Sequence, residues 1–161
     1  MISVDLLKNL GLFEGFSDGD LKKFADIATE EFYKAGTQLW KKGDTAKSLL
    51  LLVEGKVLMT LDVETGPNTP PMRVTVDIVT KGEGLGWSAV VEPYLYTRAA
   101  RCLDDSKVIA IDAAKMREIL NGDKALGFKF MHAIAKVIRN RLSHTEIILV
   151  GERGISTLTE M

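Results

Sequence analysis

A β-rich domain bracketed by helices, a sandwich or a jelly roll, follows from three observations. Between about residues 32 and 111 apolar side chains come in short runs split by glycine-containing turns. Before and after that block they recur at helical spacing, over a far longer stretch on the C-terminal side. A chain of 161 residues, 46% hydrophobic and 27% charged, has the length and composition of one soluble domain with its own core.

Residues 1–33 read as helical. Asp5, Leu6, Leu7 and Leu10 precede a stop at Gly11. Ser17 then offers an N-cap hydroxyl before Leu21, Phe24, Ala25, Ile27 and Ala28, which repeat by three and four. The strand candidates are 32–33, 38–40, 48–53, 56–61, 74–79, 99–103 and 107–111. Lys34-Ala-Gly36, Lys42-Gly43-Asp44 and Glu54-Gly55 separate the first of them, and Gly66-Pro-Asn-Thr-Pro-Pro71 is a long polar loop between two others. Helical periodicity returns over 113–120 and again over about 124–150, where Gly151-Glu-Arg-Gly154 is expected to end it. Domain organisation is thus read as one domain over 1–150 and a polar tail over 151–161.

Several function classes are disfavoured at once. A net charge of −1 supplies no global field toward nucleic acid or anionic lipid. Cys102 is alone, so no intrachain disulfide forms, consistent with a reducing cytoplasm. Nothing resembles a signal peptide, and no apolar run approaches the roughly 18 residues that span a bilayer, so a cytoplasmic location without membrane contact is expected. His132 and His144 have no metal-ligand partner at helical spacing, and the strand candidates contain no histidine, so no metal is expected. No nucleophile, base and orienting group come together in the pattern, so no catalytic residue is assigned and the chain reads as a non-enzyme.

The stretch Gly82-Glu-Gly-Leu-Gly86-Trp-Ser-Ala89, followed at Arg98 by Ala99-Ala100, carries the functional signal. Glycines admit φ > 0 and close approach to a ligand, and a guanidinium can clamp an anion bidentately. The set Gly82, Glu83, Leu85, Gly86, Ala89, Val90, Arg98, Ala99 and Ala100 resembles the phosphate-binding cassette of the cyclic nucleotide-binding domain family. Upstream, Gly36, Leu39, Gly43-Asp44 and Val53-Glu-Gly55-Lys-Val57 are similar to the family's first half, so the resemblance extends over roughly residues 8–150. It implies a mainly β fold, a double-stranded β-helix (jelly roll) of eight strands with N-terminal helices and a long C-terminal helix. It also implies a ligand site at Gly86, Trp87, Ser88, Ala89, Arg98 and Ala99, for a cyclic nucleotide or another phosphate-bearing ligand.

Trp87 departs from the family pattern, standing where the family carries the glutamate that holds the ribose 2′-hydroxyl. Indole has one N–H donor and no comparable acceptor, so ordinary cAMP binding is not expected. Two readings follow. In one the chain is a non-enzymatic ligand-sensing module whose pocket is retuned, with an anion on the cassette and Arg98. In the other it is a constitutive dimeric interaction protein whose nucleotide pocket is plugged by Trp87.

The C-terminal helix carries a second signal. Phe128, Met131, Ala135, Ile138, Leu142, Thr145 and Leu149 alternate by three and four, forming an a/d seam of three heptads. Ile134, Val137, Arg141 and Ile148 mark a neighbouring face that can rest on the β-rich block. A helix with two apolar sides predicts a second partner, so a homodimer through this seam is expected, with docking on a different protein as the alternative. The eleven residues after Val150 are too few for a helix-turn-helix, so direct DNA binding is not expected.

Overall fold

The computed structural model describes the backbone of residues 1–158 and the side chains through residue 151, Leu149 excepted. Two short helices open the chain, α1 (Val4–Lys8) and α2 (Asp18–Ala25), with a 3₁₀ turn at Gly11–Phe13 between them. The Ser17 hydroxyl accepts from the Asp20 amide, as its position before the helix requires. The helical pattern overruns here: Ala28 does not continue α2 but begins strand β1 (Ala28–Tyr33). This strand lacks regular apolar alternation because it lies at a sheet edge, with Phe32 left 69% exposed.

The remaining strands are β2 (Gln38–Trp40), β3 (Ser48–Glu54), β4 (Val57–Val63), β5 (Met72–Val79), β6 (Gly84–Leu85), β7 (Ala99–Cys102) and β8 (Ser106–Asp112). They form two four-stranded sheets in the orders β1-β8-β3-β6 and β2-β7-β4-β5, with every pair antiparallel. Central position explains composition. The β3 run Leu49–Leu52 is fully apolar and buried, because β8 pairs with one of its edges and β6 with the other. At the β3–β4 turn Gly55 has φ 97°, and a Cβ there would meet the Asp105 carbonyl oxygen at 2.6 Å, so only glycine fits.

Helices α3 (Ala113–Gly122) and α4 (Lys124–Leu158) complete the chain. The Asp123 carboxylate accepts from the Leu126 amide at 3.0 Å and pairs with Lys23 at 3.2 Å. Those two contacts, the amide first, hold its carboxyl below the usual carboxylate range. The inner face of α4 closes the helical end of the core. Phe130 is buried between Phe24, with ring centroids 5.2 Å apart and stacked, and Phe13 at 6.4 Å.

This architecture corrects the expected fold class. The protein is not a mainly β closed roll but a mixed α/β fold, in which N- and C-terminal helices flank an eight-stranded, two-sheet core. No ladder joins the two sheets among the described residues, and the 35-residue α4 alone outweighs any strand. Glycine turns report how often the chain reverses, not whether the sheets close on one another. The expected end of the last helix is also corrected, since α4 passes through Gly151 and Gly154 to Leu158. A mid-helix glycine costs only about 1 kcal/mol and need not stop a helix. Residues 159–161 lie outside the described residues.

Candidate functional site

Strand β6 is only two residues long, and Gly86 after it, at φ 83°, turns the chain into a 3₁₀ turn at Trp87–Ala89. The turn closes with the Ala89 amide donating to the Gly86 carbonyl at 3.0 Å and the Val90 amide donating to that of Trp87 at 3.0 Å. A Cβ on Gly86 would lie 3.2 Å from the Ser48 carbonyl oxygen and 3.3 Å from Trp40 Cη2, so the turn can approach its neighbours only as glycine. From the other side the Arg117 guanidinium donates to the Ala89 carbonyl at 2.6 Å and lies 4.1 Å from the Tyr94 ring centroid, pinning the cassette loop to α3.

Beneath the turn is a cavity of about 160 Å³. Gly86, Trp87, Ser88 and Arg98 line it, as do Trp40, Met59, Tyr96 and Thr97. Its remaining wall comes from Asp77 on β5 and from Ile138, Arg141, Leu142 and Thr145 on α4. Trp40 and Tyr96 stack with centroids 3.9 Å apart and planes 10° off parallel, so two aromatic faces stiffen one side. Each is anchored by its polar end. Trp40 Nε1 donates to the Arg98 carbonyl at 2.9 Å, and the Tyr96 hydroxyl donates to the Ser48 carbonyl at 2.7 Å. Burial pushes the Tyr96 phenol above its ordinary value, which keeps that donor protonated.

The two cations of the cavity differ in kind. Arg141 is buried and committed: its guanidinium pairs with Asp77 at 3.1 Å and Glu83 at 3.2 Å and donates to the Gly84 carbonyl at 2.8 Å. Through these contacts α4 is tied to β5 and to the start of the cassette. Arg98 is not committed in this way. Its Nε–H is buried and has no hydrogen-bond partner among the described residues, an uncommon condition for a guanidinium nitrogen. Arg101, three residues on, has a partner in the Gly36 carbonyl at 3.2 Å.

Four of the six expected site residues therefore meet at one cavity: Gly86, Trp87, Ser88 and Arg98. Ala89 is buried in the core, with its amide used in the turn, and Ala99 sits half-buried on β7. Neither lines the cavity. Trp40, Met59, Asp77 and Arg141 are additions. Asp77 left a legible trace as the one carboxylate inside the apolar run Val74-Thr-Val-Asp-Ile-Val79. Trp40 and Met59 left none, since apolar strand residues are ordinarily core. On the long helix, Thr145 lines the cavity and His144 lies 3.9 Å from Asp77, while Asn140 lines a separate cleft beside Gly82–Gly84.

The seam of α4 lies outward. Phe128, Met131, Ile138 and Leu142 are exposed large hydrophobics and Ala135 is exposed, whereas Thr145 is half-buried. The side chain of Leu149 lies outside the described residues. Among the described residues no cluster of three or more histidine, cysteine, aspartate or glutamate side chains could hold a metal ion. No helix among them is long and apolar enough to cross a membrane.

Residues 30–123 match the family model of the cyclic nucleotide-binding domain. Among curated proteins, cGMP-dependent protein kinase isozyme 1 of Drosophila melanogaster is 29% identical over 89 residues. That alignment covers 55% of this chain and 11% of the kinase, so the chain spans about a tenth of that relative's length. Among solved structures, a protein of Geobacter metallireducens GS-15 provisionally described as cyclic nucleotide-binding superposes with a TM-score of 0.77 at 31% identity, over 88% of this chain and 99% of that one. A cyclic nucleotide-binding domain of Methylobacillus flagellatus KT superposes at 0.75 and 17% identity, over 92% of this chain and 81% of that one, a likeness of fold.

Proposed function

Because this chain belongs to the cyclic nucleotide-binding domain family, we propose that it is a regulatory module whose cavity beneath the Gly86 turn takes an anion through Arg98. The family's domain works by binding, not catalysis. One observation carries the reading: Arg98, whose buried Nε–H has no partner among the described residues, lines a cavity walled mainly by apolar groups, with Ser88, Thr97, Thr145 and the Arg141–Asp77 pair as its other polar groups. An unpaired buried donor costs roughly 1–3 kcal/mol, which a turn of the Arg98 guanidinium toward an anion in the cavity would recover. The donor set fits the phosphate half of a nucleotide. The ribose half loses the family's own contact, because Trp87 offers no acceptor for a hydroxyl hydrogen.

Calorimetric titration of the intact chain with cAMP, cGMP, inorganic phosphate and simple carboxylates tests this reading. The expected result is saturable binding of at least one anion, weakened about tenfold or more by Arg98→Gln. Binding that Arg98→Gln leaves unchanged removes the assignment. Trp87→Glu is expected to raise cAMP affinity about tenfold by supplying the missing hydroxyl acceptor. Unaltered cAMP affinity in that variant would show that the ribose half has been lost at more than one residue.

A second reading, a constitutive dimer, draws on the exposed seam Phe128, Met131, Ala135, Ile138 and Leu142. A second copy of α4 packed along it would bury side chains that otherwise lie in water. Sedimentation equilibrium is expected to report a dimer, and Phe128→Glu with Met131→Glu is expected to convert it to monomer. A monomer in the unmutated chain at high micromolar concentration would exclude this arrangement.

A further inference from the structure

We infer that the ligand of this cavity is a small aromatic carboxylate, not a nucleotide; the inference rests on the anion-binding reading above and narrows it. Size is the first argument. At about 160 Å³ the space compares with a cavity of about 150 Å³ that holds one benzene ring, and it is smaller than the roughly 300 Å³ at which drug-sized ligand pockets begin. One ring with a short acidic arm fills that space, whereas the purine and ribose of a nucleotide would have to extend past it toward the exposed side of Ile138 and Leu142.

Charge is the second argument. Arg98 is the cation with an unused donor, because Arg141 is occupied by Asp77, Glu83 and the Gly84 carbonyl. Arg141 is shared by the Asp77 and Glu83 carboxylates, so this part of the wall carries a net negative charge and repels a dianion more than a monoanion. A singly charged head therefore suits the site better than a free phosphate monoester. A carboxylate can accept from a guanidinium as a planar fork once the Arg98 side chain turns its N–H groups toward the cavity. The Ser88 hydroxyl, in the same lining, is a further donor.

The walls supply the third argument. Trp87 replaces a polar ribose contact with an indole face, and Met59, Ile138 and Leu142 line the cavity with it. A thioether and an indole both favour an aromatic partner over a saturated one of equal area. The substitution that removes the ribose contact thereby supplies a surface for a ring.

The test is calorimetry on the full chain with benzoate, phenylacetate, cyclohexanecarboxylate, inorganic phosphate and cAMP, read in parallel by quenching of tryptophan fluorescence. Benzoate or phenylacetate is expected to bind, with cyclohexanecarboxylate about three- to tenfold weaker. Arg98→Gln is expected to weaken benzoate about tenfold or more. Trp87→Leu, a change within apolar side chains, is expected to weaken benzoate until its affinity matches that of cyclohexanecarboxylate, erasing the preference for the aromatic acid. If cAMP or phosphate binds through Arg98 and benzoate does not, the aromatic acid is overturned while anion binding stands. Equal affinity for the saturated acid also overturns it. If none of the probes binds, both readings fall.

Discussion

Replacing Arg141 with methionine is expected to lower the unfolding free energy by about 3–5 kcal/mol, the cost of breaking a buried ion pair by removing one partner. The side chain of Arg141 is 7% exposed and that of Asp77 9%, so the remaining carboxylate cannot recover its hydration by turning outward. Asp77 would keep the Ile78 amide at 2.8 Å and lose the Arg141 guanidinium at 3.1 Å, with the His144 ring 3.9 Å away. The Gly84 carbonyl would lose its guanidinium donor as well. Urea unfolding measures the effect, and a loss below about 1 kcal/mol would mean that the pair is hydrated in solution. Adding Asp77→Leu to Arg141→Met is expected to restore part of the loss, because an apolar pair of similar volume removes the stranded charge. That recovery separates the cost of an unpaired carboxylate from the cost of lost packing.

Phe130→Ala is expected to cost about 3–5 kcal/mol, as for other large-to-small core changes. The ring is fully buried, stacked on Phe24 and tilted against Phe13, and it joins α4 to the N-terminal helices. The rigid rings around it cannot collapse far into the space left behind, which places the expected cost toward the upper part of that range. Thermal unfolding checks the value. Ligand binding is expected to survive better in Phe130→Ala than in Arg141→Met, because only Arg141 borders the cavity. Equal loss of binding in both variants would mean that α4 moves as one rigid piece.

The parts of this protein that were legible in its sequence are those set by local rules. Ser17 as a helix cap, Gly55 and Gly86 as left-handed turns, and the inner and outer faces of α4 follow from positions a few residues apart. Strand β1 was misread in part because an edge strand need not alternate. Strand β6 escaped notice because two residues carry no period at all. Sheet closure was overread, since it depends on pairings between distant segments that no local pattern records. At the site, Arg98 and Trp87 were legible through their place after the glycines. The commitment of Arg141 to Asp77 was not, because residues 64 positions apart meet only once α4 lies across β5.

Ile138 and Leu142 have a double position: they belong to the outward seam of α4, and they also line the cavity. A ligand that packs against them alters the surface a second copy could cover. Occupancy and self-association would then be reciprocal, each changing the other's free energy by the same amount. An affinity measured on dilute protein would differ from one measured on concentrated protein, and the difference would give the energy shared between the two events. Protein concentration would itself become an input to the signal.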